Sequence, residues 1–330
     1  MANLLKVHGS QNSFFILDQT ELSQKLSQPE LVNLAKNITD ANEGLLGGAD
    51  GLLVIDKSNH PNVLGSMEVI NDDGSLASMC GNGLRTVSRY LSEKFGKTSF
   101  KVETMKADLQ VSKEKDLASG VPTFALEISP VTFNKESLPF QNLGVNKLID
   151  QEVPVFADGL KFTAIAVPNP HLISFVDDSV LQSDTLGRVG KMLNQPNKYF
   201  PDGVNVSFAK IESKNQLFVR TYERGVGFTN ACGTGMSATS LAFCLTHPNQ
   251  GSFEQTIKVF NPGGMVKTRV HDHGQGNYTI DLIGNATFTN KIAIPDKDLL
   301  NGNLAAARIS ETGEQKDYLN FVNGLQRQTI

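Results

Sequence analysis

The most constraining feature of this 330-residue sequence is a Cys-Gly-x-Gly pattern that occurs twice, at residues 80–83 and 232–235. The copies lie 152 residues apart, and a polar residue stands nine positions before each cysteine, Asn71 in one half and Glu223 in the other. In a chain with 29 glycines, a glycine-rich pattern can recur by chance. Chance explains the repeated pattern less easily when the polar residue before each cysteine recurs at the same offset. We therefore predict an internal duplication, with a linker near residues 129–144.

Each copy of the pattern precedes a predicted helix. Residues 82–95 carry apolar side chains at helical spacing, and residues 234–245 carry almost no charge on any face. A helix buried all round, in a chain rich in short strands, indicates sheets wrapped about a central helix. Two further helices are predicted at 29–39 and 183–193, the second capped by Ser183. Strands are predicted at Leu4–Val7, Phe14–Asp18, Leu52–Ile55, Leu64–Ile70, Phe100–Glu103, Phe124–Ile128, Phe162–Ala166, Leu172–Val176, Val204–Ala209, Leu217–Tyr222, Ile257–Phe260, Met265–Val270 and Tyr278–Ile283.

The position of Cys80 and Cys232 at helix starts predicts reactive thiols. Unpaired backbone N–H groups and the helix macrodipole favour negative charge there, which lowers a thiol pKa and raises the thiolate fraction. The glycines that follow allow an anionic ligand to approach the backbone amides. Two such half-sites facing one ligand could remove a proton from one face of a carbon and deliver one to the other. Cys244, in the middle of an apolar helix, is interpreted as a buried structural residue.

Charge and composition exclude several classes of protein. The net charge of −4 provides no basic excess for nucleic-acid binding, and no apolar run approaches the roughly 20 residues of a membrane span. The N-terminal segment has no signal-peptide pattern. Three cysteines without a Cys-x-x-Cys or His-x-x-x-His pair indicate neither a disulfide scaffold nor a structural zinc site. These features predict a cytoplasmic protein without a metal.

Five segments, in order, resemble the signatures of the diaminopimelate epimerase family. They are HGSQNSF (8–14), VINDDGSLASMCGNGLRTVSRYL (69–91), VPNPHLISFVDD (167–178), FPDGVNVSF (200–208) and YERGVGFTNACGTG (222–235). The resemblance implies an α+β fold of two similar, pseudo-symmetric domains, each a β-barrel-like sheet around a central helix. It implies a first domain of residues 1–128 joined by 286–330, a second of residues 129–285, an active site in the cleft between them, and a homodimer.

The resemblance also implies the chemistry. Family members interconvert LL- and meso-2,6-diaminopimelate, in lysine and peptidoglycan precursor biosynthesis, with two cysteines and with neither pyridoxal phosphate nor metal. On matching positions the proton-transfer residues are Cys80 and Cys232, and the residues that tune their pKa values are His171 and Glu223. The implied substrate-binding residues are Asn12, Asn71, Gly81, Asn82, Asn169, Asn205, Glu223, Arg224, Gly233 and Thr234.

The sequence departs from the family pattern at several places. Phe228 stands where the family usually has a carboxylate, Gly51 stands where many members have a glutamine, and about 40 residues follow the usual end of the family's chain. The main alternative is a cofactor-independent racemase of the same fold acting on another amino acid, although proline racemases typically show CGHG rather than CGNG. A non-catalytic relative and a thiol redox protein are further alternatives, and the latter would require Cys80 and Cys232 to pair.

Overall fold

The computed structural model describes residues 1–77 and 79–326 of the chain, which divides into two compact units. Unit 1 comprises Met1–Leu126 with Gly284–Ile330, and unit 2 comprises Glu127–Ile283. The strands are β1 (Ala2–Gly9), β2 (Asn12–Asp18), β3 (Gly51–Asp56), β4 (Val63–Asn71), β5 (Leu76–Ala77), β6 (Ser99–Glu103), β7 (Asp108–Glu114), β8 (Thr123–Ile128), β9 (Gln151–Glu152), β10 (Lys161–Ala166), β11 (Pro170–Phe175), β12 (Asn205–Ser213), β13 (Gln216–Glu223), β14 (Gly227–Thr229), β15 (Thr256–Asn261), β16 (Gly264–Asp272), β17 (Tyr278–Asn285), β18 (Thr287–Ile294) and β19 (Arg308–Glu311). The helices are α1 (Gln28–Thr39), α2 (Gly81–Phe95), α3 (Asp178–Gln182), α4 (Thr185–Asn194), α5 (Gly233–Thr246), α6 (Asp296–Leu300) and α7 (Glu314–Gln326).

In unit 1 the central helix α2 packs against a continuous series of paired strands. β1 pairs antiparallel with both β2 and β18, β2 is parallel to β3, β3 is antiparallel to β4, β4 is parallel to β6, and β6 is antiparallel to β7. α2 contacts β1, β2, β3, β4 and β7, so it lies against one face of this sheet. Its buried side chains include Leu84, Val87 and Leu91, three of the four apolar positions that helical spacing predicts, whereas the fourth, Phe95 at the end of the helix, is exposed.

Unit 2 repeats the same path. β10 is antiparallel to β11, β11 is parallel to β12, β12 is antiparallel to β13, β13 is parallel to β15, and β15 is antiparallel to β16. α5 contacts β10, β11, β12, β13, β15 and β16 and is buried from Gly235 to Cys244. In each unit the central helix joins the two strands of the second parallel pair, and a short strand, β5 or β14, pairs with the first of them. The internal duplication predicted from the Cys-Gly-x-Gly pattern is confirmed at the level of topology.

The structure corrects two details of the sequence-based predictions. The predicted helix at 183–193 is α4, which begins two residues later, at Thr185, with Asp184 at its N-cap position. Ser183 instead ends the preceding helix α3, because its N–H and hydroxyl both donate to Val180 O. Residues 129–144 do not form a free linker. The side chains of Leu138 and Phe140 are buried in the core of unit 2, and Thr132 forms a backbone bridge with Ala166.

The C-terminal residues extend unit 1 beyond the repeated path. β19 pairs with β18, and α7 places the buried side chains of Tyr318 and Val322 against Val121. Glu314 at the start of α7 forms a two-bond ion pair with Arg89 of α2, at 2.6 and 2.8 Å. The described part of the tail is therefore packed on the side of unit 1 that carries the central helix.

Candidate active site

Cys80 occupies the N-cap position of α2. Its backbone is extended, with φ −137° and ψ 108°, and its Sγ accepts a hydrogen bond from the Gly83 N–H at 3.4 Å. A Cβ at Gly83 would lie 2.8 Å from the Leu53 side chain of β3, so glycine allows this helix start to pack closely on the sheet. The pattern therefore sets both the position of the thiol and the approach of the helix to the strands.

Two of the predicted residues of unit 1, Asn12 and Asn82, come together beside this thiol. The Asn12 side-chain oxygen accepts from the Cys80 thiol at 3.7 Å and from the Asn82 amide at 3.2 Å, and the Asn12 amide donates to an Asp50 carboxylate oxygen at 2.7 Å. Asn71, at the end of β4, instead donates to Ser75 within its own turn. Gly81 is the half-buried first residue of α2.

Cys232 has the corresponding position in unit 2, at the N-cap of α5, and is buried. Its Sγ lies 3.7 Å from the Thr234 hydroxyl. A Cβ at Gly235 would lie 3.1 Å from this sulfur and 3.2 Å from the hydroxyls of Ser207 and Thr221, so a side chain there would crowd the thiol. The next residue after the cysteine, Gly233, is half-buried.

Two charged residues at the end of β13 have different surroundings. Glu223 accepts from the Thr229 hydroxyl at 2.5 Å, and its negative charge acts on Cys232. The Arg224 N–H donates to the Asn205 side chain at 2.8 Å, and its exposed guanidinium donates to Asp202 O at 3.1 Å. Asn205 is buried and donates to Pro170 O, so it ties the end of β13 to the start of β11.

His171 is a fully buried, neutral side chain. One ring nitrogen bonds the Asn169 side-chain oxygen at 3.0 Å, and the other has no partner among the residues that the structure describes. Burial lowers the pKa of His171 to about 3, and the positive charge of Arg224 acts in the same direction. The imidazole is therefore uncharged at neutral pH, and its hydrogen bond orients Asn169.

The thiol pKa values correct the expectation from helix-start electrostatics. Burial raises the pKa of Cys80 and of Cys232, and this exceeds the opposing effect of the backbone N–H bonds from Gly83 and Gly235. For Cys80 the positive charge of Arg85 also opposes the increase in pKa, whereas for Cys232 the negative charge of Glu223 adds to it. Burial likewise raises the pKa of Cys244 to about 12, in agreement with a structural role.

Sequence reasoning missed two residues that contact the half-site of unit 1. Asp50 accepts from Asn12 and from the Ser13 N–H at 2.7 Å each, and Arg85 donates to Asn82 at 2.9 Å. The sequence offered one signal for Arg85: a cationic residue one helical turn after Asn82, on a helix that was predicted to be central.

Within the described ranges, no group of three or more His, Cys, Asp or Glu side chains is arranged to hold a metal ion. No helix there is long and apolar enough to cross a bilayer.

Known proteins resemble this chain over nearly its whole length. A family model described as diaminopimelate epimerase matches residues 4–122 and 163–289. The chain is 52% identical to the diaminopimelate epimerase of Ligilactobacillus salivarius, over 98% of this chain and 99% of that protein. It is 51% identical to the diaminopimelate epimerase of Lactiplantibacillus plantarum, over 98% of each chain. The chain belongs to the diaminopimelate epimerase family.

Solved structures with low sequence identity share the fold. A PhzF-family phenazine biosynthesis protein of Bacillus anthracis matches with a TM-score of 0.63 and 14% identity, over 88% of this chain and 97% of that one. Methylitaconate-delta-isomerase matches with a TM-score of 0.60 and 14% identity, over 95% and 96%. The family, the two-domain fold class and the assignment to the isomerases, all predicted from the motifs, are confirmed. The tail after residue 289 lies outside the family match.

Proposed function

We propose that this isomerase interconverts LL- and meso-2,6-diaminopimelate by proton transfer between the substrate α-carbon and two cysteines, Cys80 and Cys232. The observation that carries the proposal is the repetition of one half-site in two duplicated units, each with a cysteine at the N-cap of its central helix. The membership of the family supports the substrate. The reaction would serve the synthesis of lysine and peptidoglycan precursors.

The proposed reaction conserves protons. One cysteine, as thiolate, takes the α-proton, and the electron pair of the broken C–H bond stays on the α-carbon. The other cysteine, as thiol, gives its proton to the opposite face, so thiolate and thiol have exchanged roles after one turnover. Because a free α-carbanion is unstable, the site must hold the reacting carbon and stabilise the developing charge.

The helix starts are suited to hold the α-carboxylate. The first N–H groups of a helix have no intrahelical acceptor, and the macrodipole favours an anion there. We assign this contact to the backbones of Gly81, Asn82, Gly233 and Thr234. The side chains assigned to the rest of the substrate are Asn12, Asn71, Asn169, Asn205, Glu223 and Arg224.

Arg224 is proposed to bind the distal carboxylate of diaminopimelate. Its guanidinium is exposed, and the contact to Asp202 O uses only one of its five N–H donors. A guanidinium can bind a carboxylate through two parallel hydrogen bonds, which lysine as a substrate cannot accept at that end. Glu223 and neutral His171 are proposed to tune the thiol pKa values, Glu223 through its charge and His171 through the orientation of Asn169.

We further propose that the enzyme needs neither pyridoxal phosphate nor metal, and that it acts as a homodimer in the cytoplasm. The three cysteines are free thiols, which suits a reducing compartment. The proposed mechanism requires two of them in that form.

A substrate comparison tests the proposal. The purified enzyme is incubated with LL-diaminopimelate, L-lysine, L-histidine and L-proline, and the stereoisomers are separated by chiral chromatography. The proposal predicts that only diaminopimelate is epimerised at a substantial rate. A higher kcat/KM for any of the other three would overturn the substrate and favour the racemase alternative, in which two cysteines serve another amino acid.

A further inference from the structure

Arg85 is a fully buried cation in the central helix of unit 1. It is 0% exposed and is one of the largest fully buried side chains of the described chain. Two glycines make room for its guanidinium. A Cβ at Gly9 would lie 2.9 Å from Nη2, and a Cβ at Gly284 would lie 2.8 Å from Cζ. Burying a charge raises the free energy of the folded state. The space that these glycines leave for the guanidinium therefore indicates that the charge has a role at this position.

The partners of Arg85 are all neutral. Its Nε donates to Asn285 O at 3.1 Å, and its Nη2 donates to Asn82 Oδ1 at 2.9 Å and to Ser10 Oγ at 3.3 Å. Nη1 is buried without a hydrogen-bond partner, and no carboxylate lies within ion-pair distance of Arg85 among the described residues. Arg89, one turn later, differs: it pairs with Glu314 and with a second glutamate.

The hydrogen bonds of Arg85 dictate how two asparagine amides near Cys80 are oriented. A guanidinium can only donate and an ionised carboxylate can only accept. Asn82 must therefore turn its oxygen to Arg85 and its NH2 group to Asn12, while Asn12 turns its NH2 group to Asp50. The Asn12 oxygen then faces both Asn82 and the thiol.

The C-terminal helix borders the same buried space. Tyr318 of α7 is buried, and its ring meets the edge of the His8 ring at a centroid distance of 4.6 Å. His8 bonds Gln315 of α7 at 2.8 Å, and burial lowers the pKa of His8 to about 4, so it is neutral at physiological pH. Arg85 and Cys80 therefore influence each other's pKa. The other charged or titratable groups that interact with one of them are Asp50, His8 and Tyr318. Asp50 opposes the effect of Arg85 on Cys80, because a negative charge disfavours the thiolate.

We propose that Arg85 is a positioning residue for the reaction: its guanidinium fixes Asn82 and, through it, the Asn12 oxygen that accepts from Cys80, and it keeps an unneutralised positive charge beside that thiol. The inference rests on the proposed role of Cys80. It assigns two separable effects to one side chain. The hydrogen-bonding fork orients the amides, and the charge favours the thiolate.

Variants at residue 85 separate these effects. Arg85→Met removes both charge and donors, Arg85→Lys keeps the charge but not the fork, and Arg89→Met and Arg89→Lys are the matched controls on the same helix. Alkylation of Cys80 by iodoacetamide is followed against pH in a Cys232→Ala, Cys244→Ala background, and kcat and KM for diaminopimelate are measured in the otherwise unchanged enzyme. Thermal unfolding is measured for every variant.

Arg85→Met is expected to raise the alkylation pKa of Cys80 by at least about one unit, the lower range for loss of a nearby opposite charge. Its kcat should fall more than its KM rises. Arg85→Lys should leave the alkylation pKa close to that of the parent yet lower kcat at least about tenfold, because one ammonium cannot reproduce the fork. The Arg89 variants should lose thermal stability without any change in the alkylation profile.

Either of two results would overturn the inference. The first is an unchanged kcat in both Arg85 variants together with an unchanged alkylation pKa in Arg85→Met, and the second is changes of equal size in the Arg89 variants. If Arg85→Met does not fold, Arg85→Lys and Gly284→Ala decide, since a Cβ at residue 284 must displace the guanidinium. Gly284→Ala should then lower kcat, and a normal kcat would count against the role. Alkylation of Cys80 is measured without turnover, so it tests the role of Arg85 independently of the proposed function. The proposed function has its own test: activity in Cys80→Ala would refute it.

Discussion

The two units share a strand path but differ in the charges around their central helices. α2 carries two buried arginines, Arg85 and Arg89, whereas α5 has no charged residue, and the charge that acts on its cysteine is the negative one of Glu223. Duplication therefore explains why two cysteines stand at equivalent helix starts. The different charges shift the pKa values of the two thiols in opposite directions. The proposed reaction needs one thiol and one thiolate at the same moment, and such a difference provides them.

The largest expected effect tests whether both halves are needed. Cys80→Ala and Cys232→Ala should each lower kcat at least about a thousandfold, because each removes one member of an acid/base pair. Cys244→Ala, which alters a buried cysteine in the middle of α5, is the matched control and should keep most of the activity. Chromatographic rates with LL-diaminopimelate measure this. Substantial turnover by either site variant would show that one half suffices.

Arg224, a residue of unit 2, tests the proposed contact with the distal carboxylate of the substrate. Arg224→Ala should lower kcat/KM for diaminopimelate at least about tenfold, because charged hydrogen bonds to the distal carboxylate are lost. Arg220→Ala is the control: Arg220 lies on β13, which ends directly before Arg224, and its guanidinium donates to Leu181 O and lies over the Phe228 ring. Similar losses in the two variants would indicate that the arginines only support the strand.

The opposite charges predict an ordering of the thiol pKa values. The pKa of Cys80 should be lower than that of Cys232 by at least about one unit, measured by alkylation against pH in variants that retain a single cysteine. Glu223→Gln should lower the pKa of Cys232, because a negative charge that disfavours the thiolate is removed. It should leave the pKa of Cys80 unchanged. An ordering in the reverse direction would contradict the comparison.

The smallest expected effect concerns metal removal. Dialysis against EDTA should leave kcat and KM unchanged, because both protons in the proposed reaction are carried by cysteines. Treatment with iodoacetamide serves as the positive control and should inactivate the enzyme irreversibly. Loss of activity on chelation, with recovery on adding a divalent ion, would show that a metal participates.

The elements with strong local signals could be predicted from the sequence. Both central helices were predicted to within a residue of their observed ends, since glycines mark their starts. Apolar residues at helical spacing identified α2, and an uncharged, apolar run identified α5. The strand β7 was missed, since its sequence, DLQVSKE, buries only Leu109 and Val111 and otherwise carries polar side chains. The strands β18 and β19 were missed as well: polar Asn290 and Lys291 interrupt β18, and β19 is a four-residue strand in which every residue is exposed.

The electrostatics of the site depend on tertiary structure and could not be predicted in the same way. Arg85 was missed because a defining partner, Asn285, is 200 residues away in the chain. The net direction of the thiol pKa shifts was wrong because it depends on how deeply the sheet buries each helix start. Helix-start amides act as the sequence suggested, yet desolvation is larger.

The central claim, that two cysteines act on opposite faces of one carbon, is tested most directly by isotope exchange in deuterium oxide. LL-diaminopimelate is incubated with the wild-type enzyme, and at early times product and remaining substrate are separated and analysed by mass spectrometry. A thiol carries one proton, so the cysteine that took the substrate proton returns that proton, whereas the other delivers deuterium from solvent. The account predicts deuterium at the α-carbon of meso-diaminopimelate and almost none in the remaining LL-isomer. Equal early labelling of both isomers, or product without deuterium, would contradict it.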